Sequence, residues 1–225
     1  MIEKNPPLPT QPAREFAHEL AFKLAREKLA AIADIEGQCR KSGARYLPAE
    51  KSVIIDYLNR FYRISLPGGE VSSIINNEPV PLRDKILILH YFNRASGTPL
   101  SGRNITYKEL AEGINYYPTF FKRAIEPIIN SFKDDPRLLL EASATLGGHK
   151  TDYGDMAVAI DAFPLVPVTV VIWRGDKEFP PNGNIMFDST IPEYLPTEDI
   201  TILCEILAWK LVRLIKTGGD APGKR

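Results

Sequence analysis

Apolar positions recur along this chain with two different periods, and the changes of period mark out its elements. From about Ala13 to Arg40 the residues are mostly Ala, Leu, Glu, Lys and Arg, with Phe16, Leu20, Leu24 and Ala31 near one face. That spacing predicts one long first helix, ended near Gly43, whose apolar stripe is of the kind that packs on a core. Val53 to Ile75 is dominated by β-branched and aromatic residues, punctuated by Asn59 and Pro67-Gly68-Gly69. It predicts two or three short antiparallel strands. Pro81 opens a helix that is apolar almost all round from Leu82 to Phe92 and closes by Gly97, which predicts a buried helix.

The second half repeats the alternation. Thr106 and Glu109 form a capping-box pattern for a short helix stopping at Gly113. Phe121, Ile125, Ile128, Ile129 and Phe132 then define one helical face, which Pro127 should kink or divide. Asp135-Pro136 starts a further helix and Gly147-Gly148 stops it. Asp155 to Trp173 predicts two strands joined at Phe163-Pro164, the second buried on both faces. Gly175-Asp176 predicts a turn, Phe179-Pro180-Pro181-Asn182-Gly183 a rigid loop, and Asn184 to Asp188 a short strand. Thr197 is expected to cap a last helix with Glu198 and Asp199 in its first turn and a wide apolar surface from Ile200 to Ile215.

These elements predict an α+β fold: a single domain with a mixed or antiparallel sheet of about five strands, covered by helices, with long N-terminal and C-terminal helices. Residues 1–11 are expected to form a flexible arm, 12–218 the domain, and 219–225 a flexible tail. At 225 residues the chain is long enough to bury a core without disulfide or metal staples. Lys plus Arg and Asp plus Glu both number 28, which argues against a nucleic-acid partner. No apolar leader follows Met1, and the most apolar window is interrupted by Asp161, Pro164 and Pro167, so a cytoplasmic location and no membrane association are expected.

Candidate chemistry is sparse. The common nucleotide loops, zinc-protease helix and nucleophile elbow are all missing from the sequence. Cys39 and Cys204 are too far apart for metal-ligand spacing, and no metal site is expected. Of the three histidines, His90, which precedes Tyr91 on the apolar helix, is the candidate ligand or base. The densest run of acids, Asp176, Asp188, Glu193, Glu198 and Asp199, lies among Trp173, Phe179, Phe187 and Tyr194. Acids among aromatics can carry protons or hold a hard cation, while turns and helix-dipole complementarity explain each one singly.

The same run carries a resemblance. Gly175-Asp176 with Phe179-Pro180-Pro181, then Asn184-Ile185-Met186-Phe187-Asp188, then Tyr194-Leu195-Pro196-Thr197-Glu198-Asp199 resemble a prokaryotic family catalogued as domain of unknown function 3786. Ser42-Gly43-Ala44, Leu89-His90-Tyr91, Gly97-Thr98-Pro99-Leu100 and Leu146-Gly147-Gly148 add to it. The resemblance implies an anaerobic setting and links to iron–sulfur modules or corrinoid and one-carbon genes. Two distant cysteines cannot supply a cluster's four thiolates, so any iron–sulfur cluster would belong to a partner. Three readings follow. The first is a cofactor-linked accessory protein, with a corrinoid or other tetrapyrrole in view, whose pocket is walled by Trp173, Phe187 and Tyr194, with Asp176, Asp188, His90 and Tyr91 beside it. The second is a small-metabolite enzyme using Asp188 or Glu198 as acid or base. The third is an interaction module, such as a homodimer through the last helix.

Overall fold

A computed structural model describes residues 11–75 and 78–218. The expected arm up to residue 10 and the tail from 219 lie outside the described residues. The α+β class holds, with nine strands in two antiparallel sheets among the described residues. The first sheet has the order β1 (Arg45–Leu47), β2 (Ser52–Tyr57), β3 (Arg60–Ser65), β4 (Glu70–Ser73). The second has the order β5 (Asn104–Thr106), β9 (Asn182–Asp188), β8 (Val166–Trp173), β7 (Met156–Phe163), β6 (His149–Thr151). The strands expected in one sheet of about five divide between these two: those from Val53 to Ile75 form β2, β3 and β4 of the first, and those from Asp155 to Asp188 form β7, β8 and β9 of the second.

The hairpin between β2 and β3 turns on Leu58 and Asn59, both with positive φ, which matches the right-handed twist of paired strands. Leu58 N–H donates to the Ala162 carbonyl at 3.0 Å, so this turn also stitches one sheet to the other. Behind the seam, rings stack in series: Tyr57 on Phe163 (4.8 Å), Phe163 on Tyr91 (4.1 Å), Tyr91 beside Tyr194 (5.9 Å). β8 is buried on both faces from Val168 to Ile172, as its unbroken apolar run requires.

The helices are α1 (Gln11–Ala30), α2 (Ile35–Ser42), α3 (Leu82–Arg94), α4 (Gly113–Phe120), α5 (Glu126–Phe132), α6 (Arg137–Ala144) and α7 (Thr197–Gly218). The single first helix expected is two. Asp34 ends the first by capping the second, its Oδ1 accepting from Gly37 N–H at 2.8 Å. α1 is also turned over. Ala25 and Leu29 face α3, while Phe16, Leu20 and Leu24, the stripe expected inside, are 68%, 45% and 47% exposed. Thr106 and Glu109 do cap, with the Glu109 carboxylate accepting from Thr106 N–H at 2.7 Å, but they cap a 3₁₀ turn, and Gly113 begins a helix instead of ending one. A Cβ on Gly113 would lie 2.0 Å from the Tyr107 carbonyl oxygen, so this junction requires glycine.

Between α4 and α5 runs a π-helical segment, Phe121–Ile125, just before Pro127. In an unbroken α-helix Phe120 and Phe132 would differ by about 120° around the axis, and the extra residue of a π turn reduces this to about 20°. Both side chains are fully buried. The core face thus includes Phe120 in place of the expected Phe121, which is half-buried.

Candidate functional site

Strand register separates the residues expected to form one pocket. Trp173 pairs with Asn182 at one end of β9, and Asp188 lies at its other end, about 20 Å away at the rise of a strand. Trp173 and Asp176 sit at the first end, Asp188 and Tyr194 at the second. Asp176 is exposed, and its Oδ1 accepts from Phe179 N–H (2.7 Å) and Glu178 N–H (2.8 Å). Those two bonds lower its pKa, as a turn-forming aspartate should show. Phe187, Tyr91 and Tyr194 are fully buried in the core. The Tyr194 hydroxyl donates to the Thr98 carbonyl, and the Tyr91 hydroxyl donates to the Ser42 carbonyl at 2.8 Å.

Asp188 is a buried knot. Its Oδ1 accepts from Ser101 N–H (3.1 Å) and Oγ (2.9 Å) and from Thr190 N–H (3.0 Å) and Oγ1 (2.7 Å); its Oδ2 accepts from Gly102 N–H (2.7 Å). Burial alone would raise its pKa. The donors from Thr190 and Ser101 outweigh it and hold the carboxyl at about 2. An acid fixed in that way stays ionised and fastens the loop after α3 to the end of β9. It does not exchange protons near neutral pH.

His90 and Asp199 do meet. His90 Nδ1 lies 2.7 Å from Asp199 Oδ2; Asp199 is buried in the first turn of α7, and the His90 side chain is 26% exposed. Glu198, next in sequence, is exposed and faces elsewhere, into a groove.

That groove, of about 650 Å³, runs along one face of α7 and is a ligand-sized concavity among the described residues. Glu198, Thr201, Ile202 and Glu205 form its floor, with His18 of α1 and Arg83 of α3 on one wall and Tyr107, Glu112, Tyr116 and Arg123 on the other. Side-chain contacts fix the walls in steps along α7. The Thr197 hydroxyl, expected as a helix cap, instead donates to the Ala111 carbonyl at 2.8 Å. One turn on, Tyr107 Oη and Thr201 Oγ1 are 2.7 Å apart. A further turn on, Glu205 accepts from two guanidinium groups, Arg83 Nη2 at 2.8 Å and Arg123 Nη1 at 3.2 Å. Glu205 is 17% exposed and the arginines 39% and 48%, so both cations keep donors facing solvent. A second concavity continues past this bridge, lined by Arg83, Arg123, Lys210 and the exposed Trp209.

The chain belongs to the family described as Domain of unknown function (DUF3786). Its model matches residues 34–210. No curated protein and no solved structure matches the chain. The DUF3786 region therefore holds Arg83, Arg123 and Glu205, while α1, which adds His18 to the wall, precedes it.

The groove residues escaped sequence reading, with Glu198 the exception. Their one signal was the row Thr197, Thr201, Glu205 at four-residue spacing in an otherwise apolar helix. Arg83 and Arg123 carry no motif. The groups the resemblance implied fit poorly here. Cys39 is buried with its thiol pushed up to about 11, Cys204 is buried with its thiol raised further, and no group of three metal-ligating side chains occurs among the described residues. An iron–sulfur cluster does not fit these residues. An imidazole held by a carboxylate, as His90 is, suits an axial ligand. Of the aromatic walls expected around a tetrapyrrole, however, Phe187 and Tyr194 are core residues, Trp173 is exposed at the other end of β9, and His90 does not line the groove. Among the described residues no helix is long and apolar enough to cross a membrane.

Proposed function

We propose that this chain is a small-molecule-binding protein that takes a metabolite carrying a carboxylate or phosphate group into the groove along α7. The observation that carries this reading is the Arg83–Glu205–Arg123 bridge: two half-exposed guanidinium groups fixed side by side on one carboxylate at the end of a ligand-sized concavity. Guanidinium groups present paired donors matching planar oxyanions, and Glu205 orients them before the ligand arrives. The test is isothermal titration with a series of small mono- and dicarboxylates and phosphate esters. At least one is expected to bind, with affinity falling roughly tenfold or more in Arg123→Ala, the scale for losing charged hydrogen bonds. Thermal stability should hold, because Arg83 still pairs with Glu205. No binding across the series, or equal binding by the variant, would refute the reading.

A second reading, acid–base catalysis, is favoured by the His90–Asp199 contact in place of Asp188 or Glu198. With Nδ1–H donated to the buried carboxylate, Nε2 would be left as the base. Nitrogen-15 NMR should show neutral His90 as the Nδ1–H tautomer, lost in Asp199→Asn. Finding the Nε2–H tautomer in the wild type would remove this reading.

A further inference from the structure

We infer that the ligand of the groove is a linear zwitterion, an amino-carboxylate of about the length of a tripeptide. This rests on the anion-binding reading above and extends it to the other end of the site.

The groove is charged oppositely at its two ends. The Ala111 contact places neighbouring Glu112 at the level of Thr197, beside Glu198, at the start of α7. Arg83 and Arg123 are held at the level of Glu205. Glu205 follows Glu198 by seven positions, about 10 Å along a helix axis. Between the ends lie the Tyr107–Thr201 hydroxyl pair and Ile202, with no formal charge on that part of the floor. The fixed charges thus run acid, neutral, base over about two helical turns.

An ion at either end alone leaves the opposite end unmatched. A dianion would put its second carboxylate against Glu112 and Glu198, and a diamine its second ammonium against the arginines. A single α-amino acid carries both charges on one carbon and cannot span the distance. Three extended residues reach about 10 Å between terminal amine and terminal carboxylate. In that pose the carboxylate meets the arginine pair, the ammonium meets Glu198 and Glu112, and the chain passes Tyr107, Thr201 and Ile202.

The probes are triglycine, N-acetyl-triglycine and triglycinamide, titrated calorimetrically. Triglycine is expected to bind best. Acetylation should weaken binding about threefold to tenfold by removing the ammonium, and amidation should weaken it at least as much. Glu198→Gln, a change at an exposed side chain, should narrow the difference between triglycine and its acetylated form. Arg123→Ala should narrow the difference between triglycine and its amide. If acetylated and free forms bind wild-type protein equally while carboxylates still bind, this inference falls and the anion-binding reading stands. If no carboxylate binds at all, both fall.

Discussion

Replacing Asp188 with Asn tests whether this residue is a fastening or a reactive acid. The change keeps the shape and removes the charge that receives five hydrogen bonds from Ser101, Gly102 and Thr190. An ordinary aspartate titrates near 3.9, and this one is held at about 2, a difference worth about 2.5 kcal/mol at neutral pH. Hydrogen bonds to charged groups are worth about 1.5–3 kcal/mol each and do not add, which leads to the same range. We therefore expect Asp188→Asn to lose about 2–3 kcal/mol in urea unfolding followed by circular dichroism at pH 7. The folded-state pKa is depressed, so the contribution is complete above the unfolded value and is lost as pH falls from about 4 toward 2. The gap between wild type and variant should close over that window. Affinity in the groove should not change. A loss under about 1 kcal/mol at pH 7, or a gap at about pH 2.5 no smaller than that at pH 7, would refute the assignment.

Two further outcomes test the frame around the groove. Gly113→Ala should cost more than about 2 kcal/mol, because its Cβ would lie 2.0 Å from a backbone oxygen that has no easy way to give; differential scanning calorimetry with an unshifted melting point would show the junction to be wrong. Leu20→Lys should change stability by less than about 0.5 kcal/mol, since this face of α1 is exposed; a loss above 2 kcal/mol in chemical unfolding would place the stripe inside.

Period and punctuation revealed most elements. β7, β8 and α3 were legible because long apolar runs admit few alternatives, and Gly147 because a positive φ of 74° favours glycine. The orientation of α1 was not legible. A helix with apolar residues on more than one face is placed by its neighbours, and here Ala25 and Leu29 fit α3 more closely than Phe16 or Leu20 could. The conspicuous run from Trp173 to Asp199 makes mostly framework contacts, for the same kind of reason. Its side chains are specific because a turn, a loop knot and a ring stack each need them. Thr197 and Glu198 of this run join the groove, whose other polar members include Arg83, Tyr107, Glu112 and Arg123 from separate segments, brought to α7 only by tertiary packing. His90 was legible as a residue, though its partner Asp199, 109 positions away, was not.

The π turn at Phe121–Ile125 amounts to a single inserted residue in a helix. A one-residue deletion there would be the smallest genetic event able to rotate everything beyond it by about 100°. Arg123 would leave Glu205, and Phe132 would leave the core, in one step. Helical phase thereby couples Arg123, one of the groove's two arginines, to the packing of the domain, so that the site cannot drift in sequence length at this point without the fold registering the change.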